Sequence, residues 1–447
     1  MNRQISFLLI FLGCLLQATA QVTPLKLAGD EAASVGIVVR NLVTGQDIVS
    51  HNSRHLLCPA STMKLVTSAT ALSTKGENFR YTTSTYISGK IADGRVSGNL
   101  VIIPGGDPTL YSEYFKPEEC TFFSDIIGRL KALGIKEIAG NIVIADSPMP
   151  DQGPVTTWEL EDIFYSYGAG YYALNFADNT FKLNTSTGTT TPFIPDIDLE
   201  VENIGKERNI IHGLNSNKYV VTGPKVFEPN SNVTMPMNNP STALVAALTT
   251  EIERNNIVFV DGAQPTVTDS IPLTSYNSKP LPEILHSLMV RSDNMMAESA
   301  LRLLAPELPR DSAIVRECNF LRSMGVSTKY CKILDGSGLS RANSITPNLL
   351  ADVLQKMTLS PVSKTFIDLF PRAGVDGTMK SFLPKSKFNG RLAMKTGSMS
   401  GVRCYAGYLL TDSGRPTHVV VIMVNKYFGS SATLKRSIEQ FILNTLN

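Results

Sequence analysis

The sequence predicts an α/β fold: one antiparallel sheet flanked by helices, drawn from both ends of the chain and split by one or two inserted, mainly β domains. Three observations predict it. A hairpin-like stretch, GIVVRNLVTGQDIVSHN (Gly36 to Asn52), lies near the start, and a three-strand meander, GRLAMKTGSMSGVRCYAGYLLTDSGRPTHVVVIMVNK, lies near the end. A mostly helical region runs from Pro280 to Phe370, while the interval before it carries strand signals of a different kind. The 447 residues are enough for two or three folded units at roughly 150 residues each.

The first twenty residues place Arg3 before an apolar run from Ile5 to Leu16 and end on Ala18-Thr19-Ala20, the layout of a secretory signal cut before Gln21. Lipid attachment at Cys14 fits less well, because Phe11 and Leu12 suit that signal poorly. The hairpin follows: two runs rich in β-branched residues around Thr44-Gly45. A hairpin is rarely stable alone, so it needs a partner sheet, and the C-terminal meander supplies one. Next comes CPASTMKLVTSATALSTKG, a helix that puts a lysine on its apolar face one turn after a serine. GNLVIIPGG and GNIVIADSP then read as strands, and the Thr/Asn-rich portion from Asn184 to Ser231 reads as part of an insertion. The tail SATLKRSIEQFILNTL spaces Leu434, Ile438, Phe441, Ile442 and Leu446 for a docking helix rather than a membrane anchor.

Composition narrows the function classes. A formal net charge of +2, with no basic run or pole, argues against a nucleic-acid surface, and no later apolar run is long enough to span a bilayer. The five histidines form no H-E-x-x-H and no cysteines lie at C-x-x-C spacing, so neither a metal nor another cofactor is expected. Cleavage of the signal leaves Cys58, Cys120, Cys318, Cys331 and Cys404; Cys318 and Cys331 are the expected bridge by proximity, with the remaining thiols buried.

Ser61 and Lys64 stand three apart on one helix face, where a partly desolvated lysine can take the proton of a hydroxyl nucleophile. By itself the pair reads more readily as a helix N-cap and a solvated side chain. Ser292-Asp293-Asn294 opens the helical stretch MMAESALRLLA, where Ser292 alone would pass for a cap. Lys395-Thr396-Gly397-Ser398 ends a strand, where Lys395 and hydroxyl donors can hold a carboxylate and Gly397 lets a substrate backbone lie close. Each pattern is weak alone. In this order, each at an element boundary, they form the signature of serine β-lactamases and penicillin-binding proteins.

The chain resembles the class C low-molecular-mass penicillin-binding proteins, the D-alanyl-D-alanine carboxypeptidase/endopeptidase family, over nearly its whole length. Pro104-Gly105-Gly106-Asp107-Pro108-Thr109-Leu110, Asp335-Gly336-Ser337-Gly338-Leu339-Ser340-Arg341 and Gly374-Val375-Asp376-Gly377-Thr378-Met379 are similar to stretches of that family. The resemblance implies a β-lactamase/transpeptidase-like domain with a five-stranded antiparallel sheet, split by two insertions. Its implied boundaries are a signal peptide at 1–20, the first part of the transpeptidase-like domain at 21–80, inserted domain II at 81–180, inserted domain III at 181–240, the return of domain II at 241–274, and the second part of the transpeptidase-like domain at 275–447. Trp158-Glu159-Leu160-Glu161-Asp162 is similar to the segment whose acid reaches the peptide side chain, which points to Asp162, with Glu159 and Glu161 close by.

The resemblance implies Ser61 as nucleophile and Lys64 as base, with Ser292 and Asn294 serving proton transfer and substrate binding. Lys395, Thr396, Gly397 and Ser398 would hold the terminal carboxylate and polarise the site. The implied partners are a peptidoglycan stem peptide ending in D-Ala-D-Ala and β-lactams as inhibitors, in an exported, periplasmic protein that could form a dimer. Two rivals stand beside this reading. A β-lactamase of one large class carries Glu-x-x-Leu-Asn after the Ser-x-Asn motif, and none lies between Asn294 and Lys395. A silent peptidoglycan-binding module would not need every one of these side chains. A Ser-His-Asp triad has no Gly-x-Ser-x-Gly elbow, and His286, near Ser292, reads as a helix-surface residue.

Overall fold

The computed structural model describes residues 32–446 apart from 148, 208, 214–215, 227–230 and 262–268. The signal segment and Cys14 therefore lie outside the described residues. The hairpin strands β1 (Ser34–Asn41) and β2 (Asp47–His51) precede helix α1 (Met63–Lys75). After a long interval come α2 (Leu281–Arg291), α3 (Asn294–Arg302), α4 (Arg310–Ser323) and α5 (Pro347–Met357). The meander supplies β3 (Leu392–Met399), β4 (Val402–Leu410) and β5 (Pro416–Asn425). The two ends meet as expected: a five-stranded sheet in the order β3-β4-β5-β1-β2, antiparallel throughout, with Ser34 opposite Asn425 and Asn41 opposite His418.

Side chains decide which strands lie inside. Val419 to Asn425 of β5 and Cys404 to Leu410 of β4 are buried without interruption, so these strands are covered on both faces and read as continuous apolar runs. Helix α1 is likewise buried all round from Met63 to Leu72, the property of a helix in the centre of a core. It packs against α2, α3 and α5, and α5 lies across β1, β4 and β5. Lys64 on such a helix cannot snorkel to water. Gly76, at φ 82°, ends α1 in a backbone region that costs an L-residue with a side chain about 1 kcal/mol or more.

Among the described residues, those between Thr82 and Asn277 share no strand with this sheet. Arg95–Ile103 lies between Thr82–Ala92 and Glu137–Ala139, with Ser270–Asn277 and Val258–Val260 at the flanks and Ile142–Ile144 also on Arg95–Ile103. Two three-stranded sheets follow in the polar portion, one from Asp198–Glu202, Asn209–His212 and Lys218–Thr222, the other from Thr180–Asn184, Thr190–Thr191 and Asn232–Pro236. A single apolar cluster joins these sheets, from Ile87 and Leu100 through Phe122 and Leu130 to Phe181, Tyr219 and Leu244. Sheets this small cannot bury a core alone, and these share one.

One expectation is corrected here. All five described cysteines are free thiols, including Cys318 and Cys331, so proximity in sequence did not make a bridge; only Cys404 is fully buried and the other four are half-buried. The C-terminal segment forms a separate unit with the helix Ser431–Thr445, whose Leu434, Ile438, Phe441 and Ile442 are buried. No described helix is long and apolar enough to cross a membrane.

Candidate active site

Ser61 sits in a short 3-10 turn, Ala60–Thr62, that leads into α1. Ala60 has φ 45°, a left-handed conformation that costs an alanine about 1 kcal/mol or more, so the turn must be held from outside. Asn425 at the end of β5 does this: its Oδ1 accepts from the Cys58 N–H at 2.7 Å and its Nδ2 donates to the Cys58 carbonyl at 3.1 Å. The Thr62 hydroxyl donates to the Pro59 carbonyl at 2.7 Å and tightens the same turn.

Lys64 is 0 % exposed. Its Nζ lies 2.9 Å from Ser61 Oγ and 2.6 Å from both Asn294 Oδ1 and the Ser337 carbonyl, so every ammonium proton has an acceptor. Burial pulls its pKa down to about 8, against the opposing pull of Asp335, Asp293 and Glu298. Lys395 is also 0 % exposed, with Nζ 2.9 Å from both Ser292 Oγ and the Thr396 carbonyl. Its pKa is also lowered well below the usual lysine value, first by burial and then by the charge of Lys64. Two ammonium groups out of water repel each other, so the pair favours a state with fewer than two positive charges.

The tripeptide Ser292-Asp293-Asn294 makes an elbow between α2 and α3. Ser292 ends α2 at φ 66°, whereas Asp293 is the cap of α3, its Oδ1 accepting from the Met296 N–H at 2.8 Å. The cap is thus Asp293, not Ser292. That division of labour frees Ser292 and Asn294 to face the site while Asp293 serves its own helix. The amide of Asn294 accepts from Lys64 and donates to the Tyr167 carbonyl at 2.8 Å, which orients it.

Strand β3 is the sheet edge that borders the site. A Cβ added at Gly397 would stand 2.7 Å from the Pro59 carbonyl and 3.1 Å from the Ser61 nitrogen. Gly397→Ala should therefore push the nucleophile turn aside, destabilising the protein by about 1–3 kcal/mol. A misplaced nucleophile should also slow acylation roughly 10- to 100-fold, read by stopped-flow with a fluorescent penicillin; an unchanged rate would show that the close approach is irrelevant. Thr396 Oγ1 donates to Thr378 Oγ1 at 2.8 Å, and Ser398 Oγ accepts from Arg403 at 3.1 Å.

A cleft of about 580 Å³ opens over these groups, lined by Ser61, Ser292, Asn294, Ser398 and the acids Glu159, Glu161 and Asp162. Glu159 is paired with Arg341 at 2.8 Å. Asp162 accepts from the Tyr167 hydroxyl at 3.1 Å through Oδ1, and its Oδ2 is buried with no hydrogen-bond partner among the described residues. Burial raises its pKa, so a cation entering the cleft would find a carboxylate short of partners. His286 lies apart, its Nδ1 3.2 Å from the Asp368 carbonyl.

Sequence reasoning missed the loop behind Lys64. Asp335 is 0 % exposed and gathers the N–H groups of Gly338 and Ser340 at 2.9 and 2.7 Å, the Trp158 indole at 2.9 Å and the Asn343 amide at 2.7 Å. This fixes the Ser337 carbonyl on Lys64. The stretch from Asp335 to Arg341 was legible as family-like, but a backbone carbonyl used as a ligand leaves no side-chain pattern to read.

Comparisons with known proteins place this geometry among relatives. A model of the family described as D-Ala-D-Ala carboxypeptidase 3 (S13) matches residues 19–443. The chain is similar to the D-alanyl-D-alanine carboxypeptidase DacB of Haemophilus influenzae, at 25% identity over 96% of this chain and 94% of that one. It superposes on the crystal structure of penicillin binding protein 4 from Haemophilus influenzae with a TM-score of 0.81 at 24% identity, covering 95% of this chain and 99% of the other. A crystal structure of that protein complexed with a novel β-lactam gives a TM-score of 0.75 at 23% identity, covering 96% and 99%.

Proposed function

Since the chain belongs to the D-Ala-D-Ala carboxypeptidase 3 (S13) family, we propose that Ser61 is the nucleophile with which it cleaves the terminal D-alanyl-D-alanine bond of peptidoglycan stem peptides. It is a serine-type D-Ala-D-Ala carboxypeptidase, and the side-chain amide cross-link between two stem peptides, which presents a similar D-alanyl bond, makes endopeptidase action the second outcome of the same site. The observation that carries the assignment of roles is the Lys64 ammonium, fully buried and 2.9 Å from the Ser61 hydroxyl.

Lys64 in its neutral form takes the proton of Ser61 as Oγ attacks the carbonyl carbon of the penultimate D-alanine. Lys64 rather than Lys395 is the base because only Lys64 touches Ser61. The backbone N–H groups of Ser61 and Ser398 receive the developing oxyanion. The proton then reaches the leaving amine through Ser292, which Lys395 holds, and the bond to the terminal D-alanine breaks. Asn294 binds the substrate amide, and Lys395, Thr396 and Ser398 hold the terminal carboxylate across the close approach that Gly397 permits. Water attacks the Ser61 ester, frees the shortened peptide and returns the proton to the serine. β-Lactams enter by the same attack, and the ester formed persists because their ring-opened product stays in the cleft.

The test is the intact mass of the protein before and after benzylpenicillin, with peptide mapping of the adduct. A persistent penicilloyl group on Ser61 is expected; intact drug and no adduct would leave a silent binding module, and hydrolysed drug without adduct would mean a β-lactamase. Asp162 is proposed to pair with the amino group of a diaminopimelate side chain, supported by its place in the wall of the cleft and by a carboxylate oxygen that has no hydrogen-bond partner among the described residues. Asp162→Ala should then raise KM for the diaminopimelate peptide roughly 10-fold or more and leave benzylpenicillin acylation unchanged. An equal loss toward a peptide with an uncharged side chain would remove that role. The export signal at 1–20 and the periplasmic site of action belong to the same proposal, as does the division into a split domain and two insertions.

A further inference from the structure

Lys64 is held by three acceptors, of which the Ser337 carbonyl at 2.6 Å belongs to a loop with no chemistry of its own. Asp335 ties that loop to itself, to Trp158 and to Asn343, and a second buried acid, on α3, ties it to the helix. Glu298 is 0 % exposed, and its Oε1 accepts from the Gly336 N–H at 3.0 Å and the Ser337 N–H at 2.9 Å. Glu298 stands four residues after Asn294, on the same face of the helix. The helix therefore grips the lysine twice, directly through the Asn294 amide and indirectly through the loop.

The opposite side of the loop is fastened by α1, where the Thr67 hydroxyl donates to the Gly336 carbonyl at 2.9 Å. The fit is tight: a Cβ at Gly336 would come within 2.9 Å of the Ala297 carbonyl and of Leu301 Cβ. A carboxyl in this place is costly to bury. Its second oxygen, Oε2, faces Arg310 Nε at 3.7 Å, beyond hydrogen-bond range, and Asp335 adds a negative neighbour. An apolar side chain of equal volume would pack at less cost, yet would leave two buried N–H groups unpaired.

We infer that Glu298 is a positioning residue for the acylation step: by accepting the Gly336 and Ser337 N–H groups, it sets the Ser337 carbonyl that aims Lys64 at Ser61. The function is acceptance rather than charge. Glutamine, which offers one oxygen in the same place, keeps it; methionine, of similar volume with no such oxygen, loses it. The inference rests on Lys64 acting as the base for Ser61. Groups facing Lys64 are Asp335, Asp293 and Glu298 on the anionic side and Lys395 on the cationic side.

The experiment is the second-order rate of acylation by benzylpenicillin, measured against pH for the full chain and for Glu298→Gln and Glu298→Met, with circular dichroism as the check on folding. Glu298→Gln should stay within about threefold of the native rate, and Glu298→Met should fall at least about tenfold. In Glu298→Met the acid limb of the profile should also move to lower pH, and further than in Glu298→Gln, which removes the same charge, because the Ser337 carbonyl no longer stabilises the ammonium form of Lys64. A merely structural role would lower the amplitude and leave the limb where Glu298→Gln puts it. A native rate in Glu298→Met, an equal loss in both variants, or a loss with the limb no lower than in Glu298→Gln overturns the inference. If Glu298→Met does not fold, Thr67→Val carries the test from the other side of the loop: a slower rate with the same limb shift is expected, and an unchanged rate overturns it. Absence of any Ser61 adduct on the native protein would sink the base assignment and this inference together; native acylation with an indifferent Glu298→Met sinks this inference alone.

Discussion

Ser61→Ala should abolish the penicilloyl adduct and slow release of D-alanine from a D-Ala-D-Ala pentapeptide on the order of 10⁴- to 10⁶-fold, leaving the fold intact. The size follows from covalent catalysis: without Oγ no acyl-enzyme forms, and only the binding and polarising groups around the scissile carbonyl remain. The fold survives because Lys64 keeps two of its three acceptors, Asn294 Oδ1 and the Ser337 carbonyl, when the hydroxyl is gone. Intact mass after benzylpenicillin and a chromatographic assay of released D-alanine read the two parts separately. An adduct that persists on another serine would overturn the assignment of the nucleophile.

Lys64→Met should lower acylation about 10²- to 10⁴-fold, the range of a general base, and at the same time raise the melting temperature. The two effects have one cause. The native protein buries an amine whose pKa is depressed from 10.5 to about 8, a penalty of about 3 kcal/mol in the protonated form. The unfolded chain binds that proton more tightly than the folded one, so the penalty is fully present below about pH 8 and disappears as pH rises through 10.5. Methionine removes it, and also relieves the repulsion that Lys395 feels from Lys64. The lost hydrogen bonds to Asn294 and Ser337 offset part of the gain. Thermal unfolding across pH checks the sign: the stability advantage of Lys64→Met should be largest near neutral pH and shrink toward pH 10.5. A variant less stable than the native protein at pH 7, or an advantage that grows with pH, would mean that Lys64 is not strained by burial.

Much of this protein was legible in order along the chain. The β-branched, strand-like runs of Gly36 to Asn52 and of Leu392 to Asn425 marked their strands, because such residues suit extended backbone and, in β4 and β5, burial on both faces selects continuous apolar runs. Ser61 with Lys64, Ser292 with Asn294, and Lys395 to Ser398 were visible because helix and strand geometry fix which near neighbours in sequence share a face. Other features were not local. Whether Cys318 and Cys331 bond depends on the path of the backbone between them, and sequence spacing does not fix it. The cap of α3 falls on Asp293 because Ser292 had already closed α2, which appears only when both helices are seen to meet.

The sequence by itself therefore determined the chemistry available: two serines, two lysines and an amide at element boundaries, in a chain with one sheet made from its two ends. Tertiary structure decided how that chemistry is tuned. Lys64 becomes a usable base only because residues 230 and 273 positions away, Asn294 and Ser337, come to hold it in a dry core. Desolvation and charge coupling depend on distance in space, and folding alone sets those distances.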